Sequence, residues 1–147
     1  MALSNLEIKK VLKKHRPNLF FRVDAYDQFD PKICPYFPIA IVANTFPIRK
    51  RNGGHWVALY IDSEKNGIYF DSTGLEPHGR FREFFKHHAI STVYNAATLQ
   101  LNNYSCGHHV VFFVMQIQKK KSLKKILNLY STHFNFDAMV MRYFKTL

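Results

Sequence analysis

Apolar positions along this chain fall into distinct spacings, and each spacing predicts an element. Residues 4–14 place Leu6, Ile8, Val11 and Leu12 between lysines. That is one stripe of an amphipathic helix, with Ser4 or Asn5 able to cap it and His15-Arg16-Pro17-Asn18 ending it. Residues 19–38 are aromatic and broken by Pro31, Pro35 and Pro38, which predicts a packed connection rather than a long element. Ile39–Asn44 is a continuous apolar run of the buried-strand type, Trp56–Ile61 is a second, and residues 68–70 are a third. Between the last two, Ser63-Glu64-Lys65-Asn66-Gly67 reads as a hairpin turn, because Asn-Gly tolerates the positive φ that tight turns need. Arg49-Lys50-Arg51-Asn52-Gly53-Gly54 reads as an exposed turn. Gly79–His88 reads as helix and Ser91–Tyr94 as a fourth strand. The most strongly marked helix runs from Cys106 to about Gln118 and is apolar nearly all round through Val110-Val111-Phe112-Phe113-Val114-Met115, so it should be central and buried. Two amphipathic helices follow, at 122–130 and 136–144.

These elements predict an α+β fold: a small mixed sheet packed by helices, with the central helix starting at Cys106. No linker, repeat or low-complexity stretch divides the 147 residues, so one domain, 1–147, is expected. A hydrophobic fraction of 47% with 14 Phe and 8 Tyr supports a core built on ring contacts. The two cysteines, Cys34 and Cys106, are too few for a disulfide scaffold and form no C-x-x-C pair, so a reducing compartment is expected. No stretch approaches the ~18 apolar residues of a membrane span. The first residues lack a basic region leading into an apolar run, which reads against a signal peptide. A soluble, intracellular protein is the expectation.

The candidate chemistry lies at the ends of these elements. Cys106 opens a helix, where unpaired N–H groups and the macrodipole favour an anion, so its thiol should be acidic and nucleophilic. The alternative is a buried structural cysteine. Cys34 precedes Pro35, has no helix end available, and is read as packing. His55 follows two glycines at the entry of a strand, where a neutral imidazole could take the thiol proton and later protonate a leaving amine; a surface histidine at a hairpin is the alternative. Asp71 ends the next strand. If the two strands pair as a hairpin, His55 and Asp71 meet at one end of the sheet, and Asp71 could accept from Nδ1–H and fix the tautomer. Equally, Asp71-Ser72-Thr73-Gly74 could be a turn held by an Asx hydrogen bond. Gln100, six residues before Cys106, could aim an amide N–H at a developing oxyanion beside the Cys106 N–H. Trp56 and Gly107 are assigned to the substrate cleft, Trp56 as a wall and Gly107 as a point of close approach, with core packing the alternative for Trp56. His108-His109 hints at metal, but Cys106-x-His108 within one helical turn is poor ligand geometry, and no metal site is expected.

In combination, Gly53-Gly54-His55-Trp56, Asp71, and Gln100 with Cys106-Gly107 resemble the adenain-like cysteine proteases of adenovirus maturation, and the wider group that includes the SUMO proteases. The likeness covers about residues 3–118, including the aromatic stretch with Phe20-Phe21 and Phe29-Asp30. Adenain-type enzymes often carry Glu where this chain has Asp71, whereas Asp is the SUMO-protease choice. The resemblance implies a papain-like or adenain-like fold and a thiol protease acting on viral or virus-like structural precursors, with protein substrates and no cofactor required for chemistry. Cys106 would be the nucleophile, His55 base then acid, Asp71 its orienting partner and Gln100 the oxyanion donor. It also implies possible activation by DNA or by a peptide, and a location in the host nucleus and virion.

Charge bears on the partner. The formal net charge is +11, with clusters at Lys9-Lys10, Lys13-Lys14, Arg49-Lys50-Arg51, Lys119-Lys120-Lys121 and Lys124-Lys125. A solvated basic surface is one reading. Phosphate contact with non-specific DNA through Arg49, Lys50, Arg51, Lys119, Lys120 and Lys121 is the other. A monomer without membrane association is expected. Two rival functions remain open: an isopeptidase removing ubiquitin or a ubiquitin-like modifier, and a non-catalytic DNA-binding protein on the same fold.

Overall fold

The computed structural model describes residues 2–15, 18–33, 36–48 and 54–147. Its elements in chain order are α1 (Asn5–His15), β1 (Phe20–Asp24), β2 (Ile39–Asn44), β3 (Trp56–Ile61), β4 (Asn66–Phe70), α2 (Gly79–His88), β5 (Ser91–Tyr94), α3 (Cys106–Gln118), α4 (Leu123–Ser131) and α5 (Phe136–Lys145). The strands form one sheet in sequence order. β1–β2 and β4–β5 pair parallel, whereas β2–β3 and β3–β4 pair antiparallel. The architecture is the expected α+β, with a mixed sheet.

Helices cover both faces, which explains the uninterrupted apolar run of β2. Ile39, Ile41 and Ala43 turn to one face with Val57, Leu59, Tyr69 and the α2 residues Phe81, Phe84 and Phe85. Ala40 and Val42 turn to the other, with Ala58, Phe70 and the long α3. There the Phe70 and Phe113 rings stack at 4.6 Å. From Cys106 to Ile117 every residue of α3 is buried, enclosed by the sheet, α1, α4 and α5. The ends are capped as composition predicts: Ser4 Oγ accepts from Glu7 N, Ser122 Oγ from Lys125 N and Asn135 Oδ1 from Ala138 N.

Three expectations need correction. Residues 20–24, read as part of an irregular connection, form β1. This short edge strand carries Arg22 and Asp24 and has a register shift between Phe20 and Arg22, so its order comes from pairing with β2 rather than from its own pattern. Leu6, assigned to the apolar stripe of α1, is 71% exposed; Leu3, just before the helix, is buried instead. The β3–β4 turn does not place Asn66-Gly67 at its tip. Lys65 takes the positive φ, 66°, and Asp62 Oδ1 accepts from Glu64 N and Asn66 N, which holds the turn by an Asx bond. Gly67 lies within β4, where a Cβ would come within 2.7 Å of the Phe85 ring. The Arg49–Arg51 stretch and Cys34 lie outside the described residues. Among the described residues, no helix is long and apolar enough to cross a membrane.

Candidate active site

The β3–β4 hairpin brings its two open ends together, so the residue entering β3 and the residue leaving β4 face each other. His55 Nε2 lies 2.5 Å from Asp71 Oδ1. Each is held by its own turn. Asn44, at the end of β2, accepts on Oδ1 from His55 N and Phe46 N. Gly54 adopts φ +90°, and a Cβ there would strike the Asn44 side chain, so this position needs glycine for conformation and for space. Asn95 clamps the Asp71 backbone, accepting from Asp71 N at 3.0 Å and donating to Asp71 O at 2.6 Å. The Asx turn expected at 71–74 also forms: Thr73 N and Thr73 Oγ1 donate to Asp71 Oδ1 at 2.8 and 2.7 Å.

The imidazole is turned the other way round from the expectation. Nε2, not Nδ1, meets Asp71, which leaves Nδ1 as the ring nitrogen for Cys106.

Cys106 is the first residue of α3 and is buried. The preceding Ser105 does not cap the helix with its hydroxyl; Oγ donates to Asp137 instead, at 2.9 Å. The first N–H groups of α3 therefore have no side-chain cap and point toward the thiol end of the helix. Burial raises the Cys106 thiol pKa, but hydrogen bonding to His55 and to the Trp56 and Gly107 backbone outweighs it and holds the thiol below its ordinary value. Burial likewise works against a charged His55, yet hydrogen bonds to Asp71 and Cys106 raise it to about 9. Asp71 is desolvated but held below its ordinary range by His55 and Thr73. All three shifts run toward the charged forms, the direction that favours a thiolate beside an imidazolium backed by a carboxylate.

Gln100 is buried on the loop that leads to α3. Its Oε1 accepts from Ser72 Oγ at 2.6 Å, and its Nε2 donates to Asn102 O at 2.8 Å. Ser72 O also receives the N–H groups of Leu99 and Gln100. The amide is thus oriented from both ends.

Trp56 and Gly107 are differently engaged. Trp56 Nε1 donates to Leu3 O at 3.1 Å. A Cβ on Gly107 would approach Leu3 Cβ at 3.1 Å and Ile8 Cδ1 and Trp56 Cδ1 at 3.3 Å. Gly107 lets α1 lie against α3; it does not open onto a cleft. Trp56 still lines a groove together with Leu3, Asn44, Phe46 and Ile48.

Sequence reasoning missed the supporting residues Asn44, Ser72, Asn95, His109 and Asp137. Their partners lie 11, 28, 24 and 28 residues away along the chain, and no local motif marks such pairs. His108 and His109 do not converge with Cys106: His108 packs on Phe144, and His109 bonds Tyr130 and Asp137.

No protein-family model matches the chain, and no curated protein sequence does. The fold is that of a solved protease structure. The crystal structure of the ASFV pS273R protease superposes with a TM-score of 0.70 at 20% identity, over 95% of this chain and 64% of that one. This chain thus spans less than two thirds of that protease. The SUMO protease Ulp1, with its catalytic cysteine oxidised to a sulfinic acid, gives a TM-score of 0.48 at 15% identity over 97% of this chain and 78% of that one.

Proposed function

We propose that this chain is a cysteine endopeptidase of a virus or virus-like element and that it cleaves structural precursor proteins. The meeting of His55 with both Asp71 and Cys106 at the open end of the hairpin, with the Gln100 amide held on Ser72 next to Asp71, carries the reading.

In this mechanism the Cys106 thiolate attacks the scissile carbonyl carbon. The oxyanion is received by the Cys106 N–H and by an Nε2–H of Gln100. His55 gives its Nδ1 proton to the departing amine while Nε2–H stays on Asp71, and the acyl group remains on sulfur as a thioester. Water then attacks the thioester with His55 as base, and the thiolate leaves. The chemistry needs no metal or organic cofactor.

Lys119 and Lys120 follow α3, and Lys124 and Lys125 lie on α4; all four are exposed, and Lys121 is half-buried. Together with Arg49, Lys50 and Arg51 they would supply a non-specific DNA contact that assists proteolysis, with an activating peptide as a further possible partner. The proposed setting is the host nucleus and virion, with the protein acting as a monomer. The substrate test is a direct comparison: a capsid-precursor polypeptide from the source element against a ubiquitin-like modifier conjugate. Cleavage of the precursor within its chain supports the endopeptidase. Release of modifier with the precursor left intact would replace it by the isopeptidase reading.

A further inference from the structure

Behind the nucleophile lies a second polar cluster that the proposed mechanism does not use. Asp137, on α5, is buried and takes four hydrogen bonds. Oδ2 accepts from Leu101 N at 3.0 Å and Asn102 N at 2.9 Å. Oδ1 accepts from Ser105 Oγ at 2.9 Å and from His109 Nε2 at 2.8 Å. His109 is fully buried on α3, and burial holds its pKa below the ordinary value despite Asp137. It is therefore neutral, with Nε2–H directed to Asp137 and Nδ1 accepting from Tyr130 OH at 2.8 Å. Asp137 itself is desolvated, yet His109 and the Asn102, Ser105 and Leu101 donors keep it ionised.

Three of the four donors come from the short segment between Gln100 and Cys106. A buried carboxylate with a neutral partner is an expensive way to stabilise a fold, since apolar residues would serve as well or better. What it does supply is a fixed position for that segment. Asn102 passes the constraint on in both directions: its carbonyl receives Gln100 Nε2, and its Oδ1 receives Tyr104 N and Ser105 N. The Gln100 amide and the Cys106 N–H are the two donors that must meet one oxyanion, and misplacement by about 1 Å costs on the order of 10²-fold in rate.

We propose that Asp137, oriented by His109, is a positioning residue that sets the spacing between Gln100 and the Cys106 N–H and so builds the oxyanion site from α5. The inference rests on the protease reading above. Its test uses two reagents that attack the same sulfur. With iodoacetamide, Sγ displaces iodide and forms a thioether, and no oxyanion arises. With p-nitrophenyl acetate, Sγ adds to the carbonyl, a tetrahedral oxyanion forms, p-nitrophenolate is expelled and a thioester remains. Both rates are measured on the full chain, with the modified cysteine mapped by peptide mass spectrometry.

Asp137→Ala should slow acylation about tenfold or more while alkylation stays within about twofold, including its pH profile. Asp137→Asn should restore part of the acylation rate, because an amide oxygen still receives Leu101 N and Asn102 N. Ser105→Ala, which removes one donor of four, should slow acylation about threefold; it decides the matter if Asp137→Ala does not fold. Parallel loss of both rates in a folded variant, or no change in either, overturns the inference. Failure of either reagent to modify Cys106 in the unaltered protein would instead strike down the protease reading on which it rests.

Discussion

Replacing Asp71 by Asn isolates the charge of the site from its shape. The His55 Nε2, Thr73 N and Thr73 Oγ1 groups all converge on the one oxygen, Oδ1. An asparagine amide oxygen in the same place can accept from all three, so the ring keeps its orientation and tautomer while the negative charge is lost. A hydrogen bond to a charged group contributes about 1.5–3 kcal/mol, and one pKa unit is ~1.4 kcal/mol. The loss is therefore about 1 to 2 units, nearer the lower figure because the His55 side chain is 21% exposed. His55, raised to about 9 in the parent, should titrate near ~8 in Asp71→Asn. Ring-proton NMR of His55, assigned with His55→Gln, reads this directly, and the alkaline limb of turnover should fall by the same amount. The effect on stability has a definite sign. Because the folded pKa lies above the unfolded 6.5, His55 contributes fully below 6.5 and loses its contribution as pH rises through about 9. The deficit of Asp71→Asn should thus be largest near ~pH 6 and vanish above about pH 9. A His55 titration unchanged by the substitution would refute the reasoning.

Gln100→Ala should lower kcat by about 10²–10³ with little change in KM, because the lost donor acts on the developing oxyanion; steady-state kinetics would check it. Gly74→Ala places a Cβ 2.8 Å from the Ala97 carbonyl carbon at a φ of +84°. It should cost about 2 kcal/mol or more in urea unfolding, from left-handed strain and overlap together. Fluorescence anisotropy with random-sequence duplex DNA should show log affinity falling linearly with log salt, at about −0.9 per phosphate contact. Lys119→Glu, Lys120→Glu and Lys121→Glu combined should flatten that slope.

The candidate set was legible because its members stand at element ends that the sequence marks clearly. Two glycines precede His55, an apolar strand ends at Asp71, and an apolar helix begins at Cys106. Pairing Trp56–Ile61 with the next strand was enough to bring His55 and Asp71 together. What could not be read depends on tertiary contact. Which imidazole nitrogen meets Asp71 is not set by the spacing of the two residues along the chain. Gly107 looked like an opening for substrate and proves to be room for Leu3 and Ile8. Gly67 looked like a turn residue, yet its missing side chain makes room for Phe85. β1 is ordered by β2, and nothing in Phe20–Asp24 announces a strand. The Asp137–His109 pair joins positions 28 residues apart on two helices, a separation with no sequence period to reveal it.

The central claim is that Cys106 is a thiolate nucleophile held by His55, and its most direct test is the pH dependence of iodoacetamide alkylation with each modified cysteine identified by mass spectrometry. Cys106 should react with an apparent pKa below the ordinary thiol value of 9.0, and His55→Ala should return it toward that value. Reaction at Cys34 alone, or a Cys106 that titrates at or above the ordinary value with His55 in place, would contradict the account.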